Sequence, residues 1–298
     1  MKQTLLNKCN FIISHVASRM LSPTFRHLRR IKIASPEATV KTIVANRMSI
    51  ARFGDGELTL MAGNDTDFQK FDEQIAAKLK CIIANEEFGL LVGLPYVWKH
   101  PWRLKYRAFE FWGAYLSNNL KQRITSQINL NSFYYDSTFT RFYIDYRSSG
   151  HARKMAKLVK KIWDNRDICF IEGEYSRLGV GNDLFDNARS IQRIICPATN
   201  AFEVYDHILS EAVKLPKDTL MLIALGMTAT CVAYDLHKAG YQAIDIGHID
   251  VEYEWYKMKA REKVAIPGKF VAESTKNNPL AKEVDKKYLS QIICRIDS

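Results

Sequence analysis

Short runs of apolar residues alternate along most of the chain with amphipathic segments of helical period. Apolar runs of this length between helices are typical of parallel strands that are buried on both faces. Strands are predicted over residues 49–53, 90–94, 167–171, 193–196, 219–225 and 241–246. The pattern therefore predicts an α/β fold: a doubly wound, mainly parallel Rossmann-like sheet with helices on both faces.

Helices are predicted between these strands, over residues 36–46, 68–84, 104–124, 151–163, 200–215 and 229–238, with shorter helices from Asp183 and near Asp250. Ser35 precedes Pro36 as an N-cap before a first-turn proline, and Asn200 is predicted to cap a later helix. Gly240 is a C-terminal stop. The sequence does not assign residues 98–147 to the sheet, and it predicts a small strand over 291–296.

Composition places the 298 residues among ordinary globular proteins, since 47% are hydrophobic and 25% are charged. No apolar run reaches the ~18 residues that a membrane-spanning helix requires. The six cysteines form no CxxC pair, which argues against a zinc ribbon or a thioredoxin-like site and favours a reducing, cytoplasmic location. We expect one domain over residues 35–298, preceded by a basic arm over 1–34.

The arm carries much of the net charge of +11. Residues 1–36 contain no acid and seven cations: Lys2, Lys8, Arg19, Arg26, Arg29, Arg30 and Lys32. Three interpretations remain open: an organelle transit peptide, a helix on an anionic membrane surface, and a basic helix that packs its apolar face on the body. The second would place the protein at the inner face of the cell membrane.

Polar, glycine-containing segments follow four of the predicted strands, over residues 52–57, 172–183, 226–228 and 247–254. Ligands of open α/β sheets bind beyond the carboxyl ends of the strands. We therefore expect these segments to meet in one crevice.

The first segment places two carboxylates, Asp55 and Glu57, between glycines. On an extended backbone they would point the same way, and such hard oxygen ligands suit Mg²⁺ or Mn²⁺. In the alternative, Asp55 caps the next helix and Glu57 lies in its first turn, where the two side chains diverge.

The second segment follows a strand and contains two glycines, Gly179 and Gly181, whose N–H groups could face an anion. Arg177 could add a bidentate contact. The segment is neither a G-x-G-x-x-G fingerprint nor a P-loop. The alternative is an ordinary turn with Asn182 or Asp183 as a helix cap.

The third segment ends at Thr228, for which a helix cap is favoured over a phosphate contact. In the fourth, Asp250 and Glu254 would share one face of a helix at i, i+4 and could supply a general base. Their alternative role is to complement the helix dipole and to pair with nearby cations.

Together, four motifs resemble the GT-D-fold bacterial glycosyltransferases over about residues 40–260. They are Arg52-Phe-Gly-Asp-Gly-Glu57, Trp163–Asp167, Ser176–Phe185, and Tyr241–Asp250 with Glu254-Trp255. The resemblance implies a Rossmann-like fold, a metal-binding Asp-x-Glu motif, and transfer of glucose from UDP-glucose to a glycan on serine-rich adhesins. Met227 stands where the family commonly has a proline.

The resemblance also implies roles for single residues. Asp55 and Glu57 would hold Mn²⁺ or Mg²⁺ and the donor diphosphate. By the resemblance, Arg52, Asp55, Arg177, Asn182 and Asp183 are expected donor contacts; the strand-end segments themselves add Gly179, Gly181 and Thr228. By the resemblance, His248 and Glu254 are the expected catalytic groups; Asp250, which shares the helix face of Glu254, is the next candidate for the base.

The sequence thus predicts a metal-dependent glycosyltransferase with a nucleotide-sugar donor and a glycan or glycoprotein acceptor. Its chemistry would require neutralisation of a leaving diphosphate and, if configuration inverts, a base at the acceptor hydroxyl. The alternatives are a non-catalytic nucleotide- or polyanion-binding module and a phosphate-ester hydrolase. No nucleic-acid motif is present, so nucleic acid is not an expected partner.

Overall fold

The computed structural model describes residues 27–117, 128–271 and 286–297. In these residues nine strands form one sheet in the order β1-β4-β3-β2-β8-β7-β5-β6-β9, and all neighbouring strands are parallel. The strands are β1 (Lys32–Ile33), β2 (Ser49–Arg52), β3 (Leu90–Leu94), β4 (Phe133–Asp136), β5 (Asp167–Gly173), β6 (Ser190–Cys196), β7 (Leu220–Ala224), β8 (Ala243–Asp245) and β9 (Ile292–Arg295).

Helices connect the strands and cover both faces of the sheet. They are α1 (Pro36–Asn46), α2 (Asp55–Met61), α3 (Glu73–Ile83), α4 (Tyr106–Ser117), α5 (Ser149–Val159), α6 (Tyr205–Ala212), α7 (Thr228–Lys238), α8 (Ile249–Lys257) and α9 (Lys286–Gln291). The core cluster on one face includes α3, α6 and α7, and the cluster on the other includes α1, α5 and α8.

The central strands are apolar on both faces. Met221 and Ile223 of β7 pack in one core cluster, whereas Leu220 and Leu222 pack in the other. A strand covered on both sides needs apolar residues at successive positions, which is why it appears in the sequence as a continuous run. The predicted parallel, doubly wound α/β fold is confirmed.

One predicted helix start is wrong, and one predicted side-chain cap is absent. No helix begins at Asp183, because Asn182 accepts the Leu184 N–H and the described chain continues in turns to β6. Asn200 makes no side-chain cap; it lies in the left-handed region at φ +53°, and its side chain accepts the Lys70 N–H instead. A 3-10 helix over Ala201–Val204 follows Asn200 directly and leads into α6 at Tyr205, so the predicted helix is present from residue 201.

The segment 98–147 contributes β4 between β1 and β3, which its aromatic-rich sequence did not reveal. The predicted arm ends within the sheet, since Leu28 and Ile31 are fully buried and β1 pairs with β4. Predictions on residues 1–26 and on a helix continuing to 124 lie wholly or partly outside the described residues. None of the described helices combines the length and apolarity needed to cross a bilayer.

Candidate active site

The carboxyl ends of β2, β8, β7 and β5 open into one cavity of about 1440 Å³. Its lining includes residues 52–57, Gly226, Met227, Asp245, Gly247 and His248. The predicted crevice is therefore present, and each of the four polar segments contributes to its wall. The cations on that wall are Arg52, Lys105, Arg107, Arg141, Arg261 and Lys263.

The pair Asp55 and Glu57 lies in the first turn of α2. The extended backbone that would point both carboxylates the same way is absent, because the helix begins at Asp55. Glu57 bends back and its Oε2 accepts the Gly54 N–H at 2.6 Å, which leaves Glu57 buried while Asp55 is exposed. Both residues nevertheless line the cavity.

Burial raises the pKa of Glu57 to about 7, and the carboxylates of Asp245 and Asp55 contribute to the rise. The carboxylates of Glu57, Asp55 and Asp245 repel one another, and a bound cation would relieve that repulsion. Among the described residues no three His, Cys, Asp or Glu side chains are arranged to hold a metal. Two carboxylates suffice for Mg²⁺ or Mn²⁺ when water and substrate phosphates complete the shell, so the residues present fit such an ion.

The raised pKa of Glu57 predicts a pH-dependent stability. The folded state favours the neutral acid of Glu57. Its contribution to stability is therefore complete below the usual pKa of 4.5 and is lost as the pH rises through about 7. As the pH rises from about 5 to about 8, the free energy of unfolding of Glu57→Gln should increase relative to that of the wild type by on the order of 2 kcal/mol. Urea unfolding in EDTA measures this difference; parallel stability curves would contradict it.

Asp245, at the end of β8, was not predicted as a site residue. Its Oδ1 accepts a hydrogen bond from Arg52 Nη2 at 2.7 Å. Arg52 Nη1 donates to the Ser137 carbonyl at 2.8 Å and to Thr140 Oγ1 at 2.6 Å. Gly247 adopts φ +43°, and a Cβ there would lie 2.1 Å from Arg52 Nη2, so a larger residue would be strained and would displace the guanidinium. Arg52 therefore fixes Asp245 at the base of the cavity.

The hydroxyl of Tyr115 ties α4 to this site. It donates to the Asp55 carbonyl at 2.8 Å, and Thr59 Oγ1 donates to the same carbonyl at 2.6 Å. The backbone that carries the Asp55 carboxylate is thus held from two sides.

The predicted anion-binding loop after β5 binds carboxylates of the protein itself. The Gly179 N–H donates to Asp250 Oδ1 at 2.9 Å, and Asn182 Nδ2 donates to Asp250 Oδ1 and Glu254 Oε1, both at 2.8 Å. Lys269 Nζ lies 2.5 Å from Asp250 Oδ2 and 3.1 Å from Glu254 Oε1. The network, in which Asp250 and Lys269 are buried, does not line the cavity.

Asp183 is likewise paired within the protein. Lys160 and Lys257 donate to its carboxylate at 2.8 and 3.0 Å and hold its pKa well below the usual range. Arg177 Nη1 donates to the Gly268 carbonyl at 3.1 Å. Neither Asp183 nor Arg177 lines the cavity.

Thr228 and Gly181 also lie outside the cavity lining. Thr228 is buried as the first residue of α7, and its hydroxyl donates to Gln69 Oε1 at 3.3 Å, so it is not the cap that was favoured. Gly181 adopts φ +82° in the loop after β5.

Of the predicted catalytic groups, His248 lines the cavity, whereas Asp250 and Glu254 belong to the Lys269 network. Sequence reasoning missed Asp245 and Lys269. An acid that ends an apolar strand was a usable signal for Asp245. Lys269 follows a proline and a glycine in a charged tail, and nothing in its sequence context points to burial.

Known proteins resemble this chain over most of its length. Residues 50–274 match the family described as glycosyltransferase GT-D fold. Over 267 residues the chain is 37% identical to "Glycosyltransferase GlyD" of Streptococcus pneumoniae, a match that covers 89% of this chain and 33% of GlyD. The chain spans between a third and two fifths of the length of the curated relatives it matches.

Solved structures share the fold. One is described as domain of unknown function 1792 with a distinct glycosyltransferase fold; it has a TM-score of 0.87, 37% identity, and coverage of 92% of this chain and 99% of that chain. A glycosyltransferase of the same domain type from Streptococcus sanguinis has a TM-score of 0.85 and 35% identity, with coverage of 89% and 99%.

Proposed function

The chain belongs to the GT-D family of glycosyltransferases, and from this premise we propose that it transfers a sugar from a nucleotide-diphosphate donor to a glycan or glycoprotein acceptor. One observation carries the proposal: Asp55, Glu57 and His248 line a single cavity at the carboxyl ends of neighbouring strands. Such a cavity is large enough for a donor and part of an acceptor.

Asp55 and Glu57 are the residues that would hold Mn²⁺ or Mg²⁺. When bound, the ion supplies positive charge to the departing diphosphate. Lys105, Arg107 and Lys263 stand on the same cavity wall and add to the positive potential that favours an anionic donor. Arg52 contributes mainly by holding Asp245 in place.

His248 is the group we propose as base for the acceptor hydroxyl, because it lies in the cavity at the start of α8. Glu254 could take this role only after exchanging its contacts with Lys269 and Asn182. We propose that Asp250 and Glu254 instead hold the loop after β5 against α8.

UDP-glucose is the donor we propose. Its support is the resemblance of the motifs at residues 52–57, 176–185 and 241–255 to glucosyltransferases with this donor. The acceptor follows from the same resemblance, as a glycan on a protein.

A thermal-shift panel of UDP-, GDP- and ADP-sugars, each with Mn²⁺ or with EDTA, tests the proposal. Ligand at about 100 times its Kd stabilises by ~2.7 kcal/mol, which corresponds to roughly 5–10 °C in Tm. We expect UDP-glucose with Mn²⁺ to give the largest shift and EDTA to remove it. A panel without any shift, or shifts indifferent to EDTA, would contradict the proposal.

A further inference from the structure

An exposed tryptophan, stacked on by one arginine, lies in a cation-rich region near β1. The indole of Trp102 is 46% exposed, and the Arg29 guanidinium carbon lies 5.5 Å from the centroid of its ring. His100 packs edge-on against the same indole at 4.9 Å. We call this surface the basic-aromatic patch and define it by Arg29, Arg30, Lys32, Lys99 and Trp102.

The patch is strongly positive. Burial lowers the pKa of His100, and three neighbouring cations, Arg103, Lys99 and Arg29, lower it further. Arg30 and Lys32 are exposed beside Arg29, in the turn before β1 and in β1 itself. Residues 1–26, which lead directly into this turn, add four cations and no acid in their sequence.

An exposed indole in a cation-rich surface is suited to an anionic bilayer. Tryptophan places its apolar body and polar N–H at the level of the lipid headgroups. Each Lys or Arg near an anionic membrane surface contributes about 1 kcal/mol of attraction. A nucleic acid would also meet the cations, but the chain contains no nucleic-acid motif.

We propose that the basic-aromatic patch docks this protein on an anionic phospholipid bilayer, with Trp102 entering the headgroup region. Leu104, Lys105 and Tyr106, which follow Trp102 closely in the chain, line the cavity. Docking at the patch therefore brings one wall of the cavity near the membrane surface. Surface charge and exposure favour this docking independently of sugar transfer.

Sedimentation of the full chain with phosphatidylcholine vesicles, with and without phosphatidylglycerol, tests the docking. We expect binding only with phosphatidylglycerol, and the triple variant Arg29→Gln, Arg30→Gln, Lys32→Gln should bind about 100-fold more weakly. The matched control is the triple variant Arg153→Gln, Lys154→Gln, Lys157→Gln, which removes the same charge from exposed positions of α5. Binding of the control variant should weaken less than about threefold, because salt screens the attraction between the membrane and charges that lie far from the patch.

Brominated phosphatidylcholine in the same vesicles reports the position of Trp102. We expect bromine to quench part of the tryptophan emission in the wild type and to lose most of that effect in Trp102→Phe, since Trp98, Trp163 and Trp255 are fully buried and Trp112 is partly buried against the core. The thermal shift with donor, measured on the same variants, should match the wild type and separates this test from that of sugar transfer.

Three results would overturn the docking proposal: no binding to phosphatidylglycerol vesicles, equal loss of binding in the two triple variants, or quenching unchanged by Trp102→Phe. Salt-sensitive binding to polyuridylate without vesicle binding would assign the patch to nucleic acid and would also overturn it.

Discussion

We expect Asp55→Asn and Glu57→Gln each to lower sugar transfer by about 100- to 1,000-fold, because each removes one of the two carboxylates proposed to hold the cation. Both changes preserve shape, and in Glu57→Gln the new amide oxygen can still accept the Gly54 N–H. The variants should therefore remain folded. Initial rates of transfer, with circular dichroism melts beside them, measure both expectations.

Glu252→Gln is the matched control. Glu252 is also fully buried, burial raises its pKa to about 7, and its Oε2 accepts the N–H groups of Tyr143 and Ile144, both at 3.0 Å. It does not line the cavity. We expect transfer by this variant to stay near the wild-type rate. Undiminished transfer by the Asp55 and Glu57 variants, in EDTA, would refute the metal role.

Lys269→Met should destabilise the protein by about 3–5 kcal/mol, since it leaves the buried Asp250 carboxylate without its cation. Lys269 and Asp250 are 2% and 1% exposed, so water cannot replace the lost contact. Urea unfolding at neutral pH measures the loss as a lower midpoint with an unchanged slope.

Lys257→Met is the control for this prediction, because Lys257 also contacts a carboxylate but is half exposed. Its cost should stay below about 1 kcal/mol. If Lys269→Met unfolded at the wild-type urea concentration and still abolished transfer, the network would be catalytic rather than structural.

The sheet was predictable because strands that are buried on both faces need apolar residues at successive positions. The runs at 167–171 and 219–225 follow from burial on both faces, and so does the expectation that their carboxyl ends meet. The edge strand β1 and its neighbour β4 were not predictable. β1 has only two residues, and β4, with its Phe-Tyr-Tyr-Asp sequence, lacks the long apolar run.

The sequence predicted where the site lies better than it predicted which residues contact one another there. The position of Asp55 beyond β2 correctly predicted that it lies in the cavity. However, the start of α2 at Asp55 depends on the hydrogen bond from the Gly54 N–H to the Glu57 carboxylate. The loop after β5 offered Gly179 and Asn182 to an anion, and the anions proved to be Asp250 and Glu254 from α8. Such pairings between distant segments depend on packing that no local pattern records.

Calorimetric titration of UDP, with Mn²⁺ and with EDTA, tests the central claim most directly in the wild type and in Asp55→Asn, Glu57→Gln and Glu252→Gln. We predict that Mn²⁺ tightens UDP binding at least about tenfold in the wild type and in Glu252→Gln, a gain of ~1.4 kcal/mol. The Asp55 and Glu57 variants should lose this gain. UDP binding that is equally tight in EDTA, or in all four proteins, would contradict the claim.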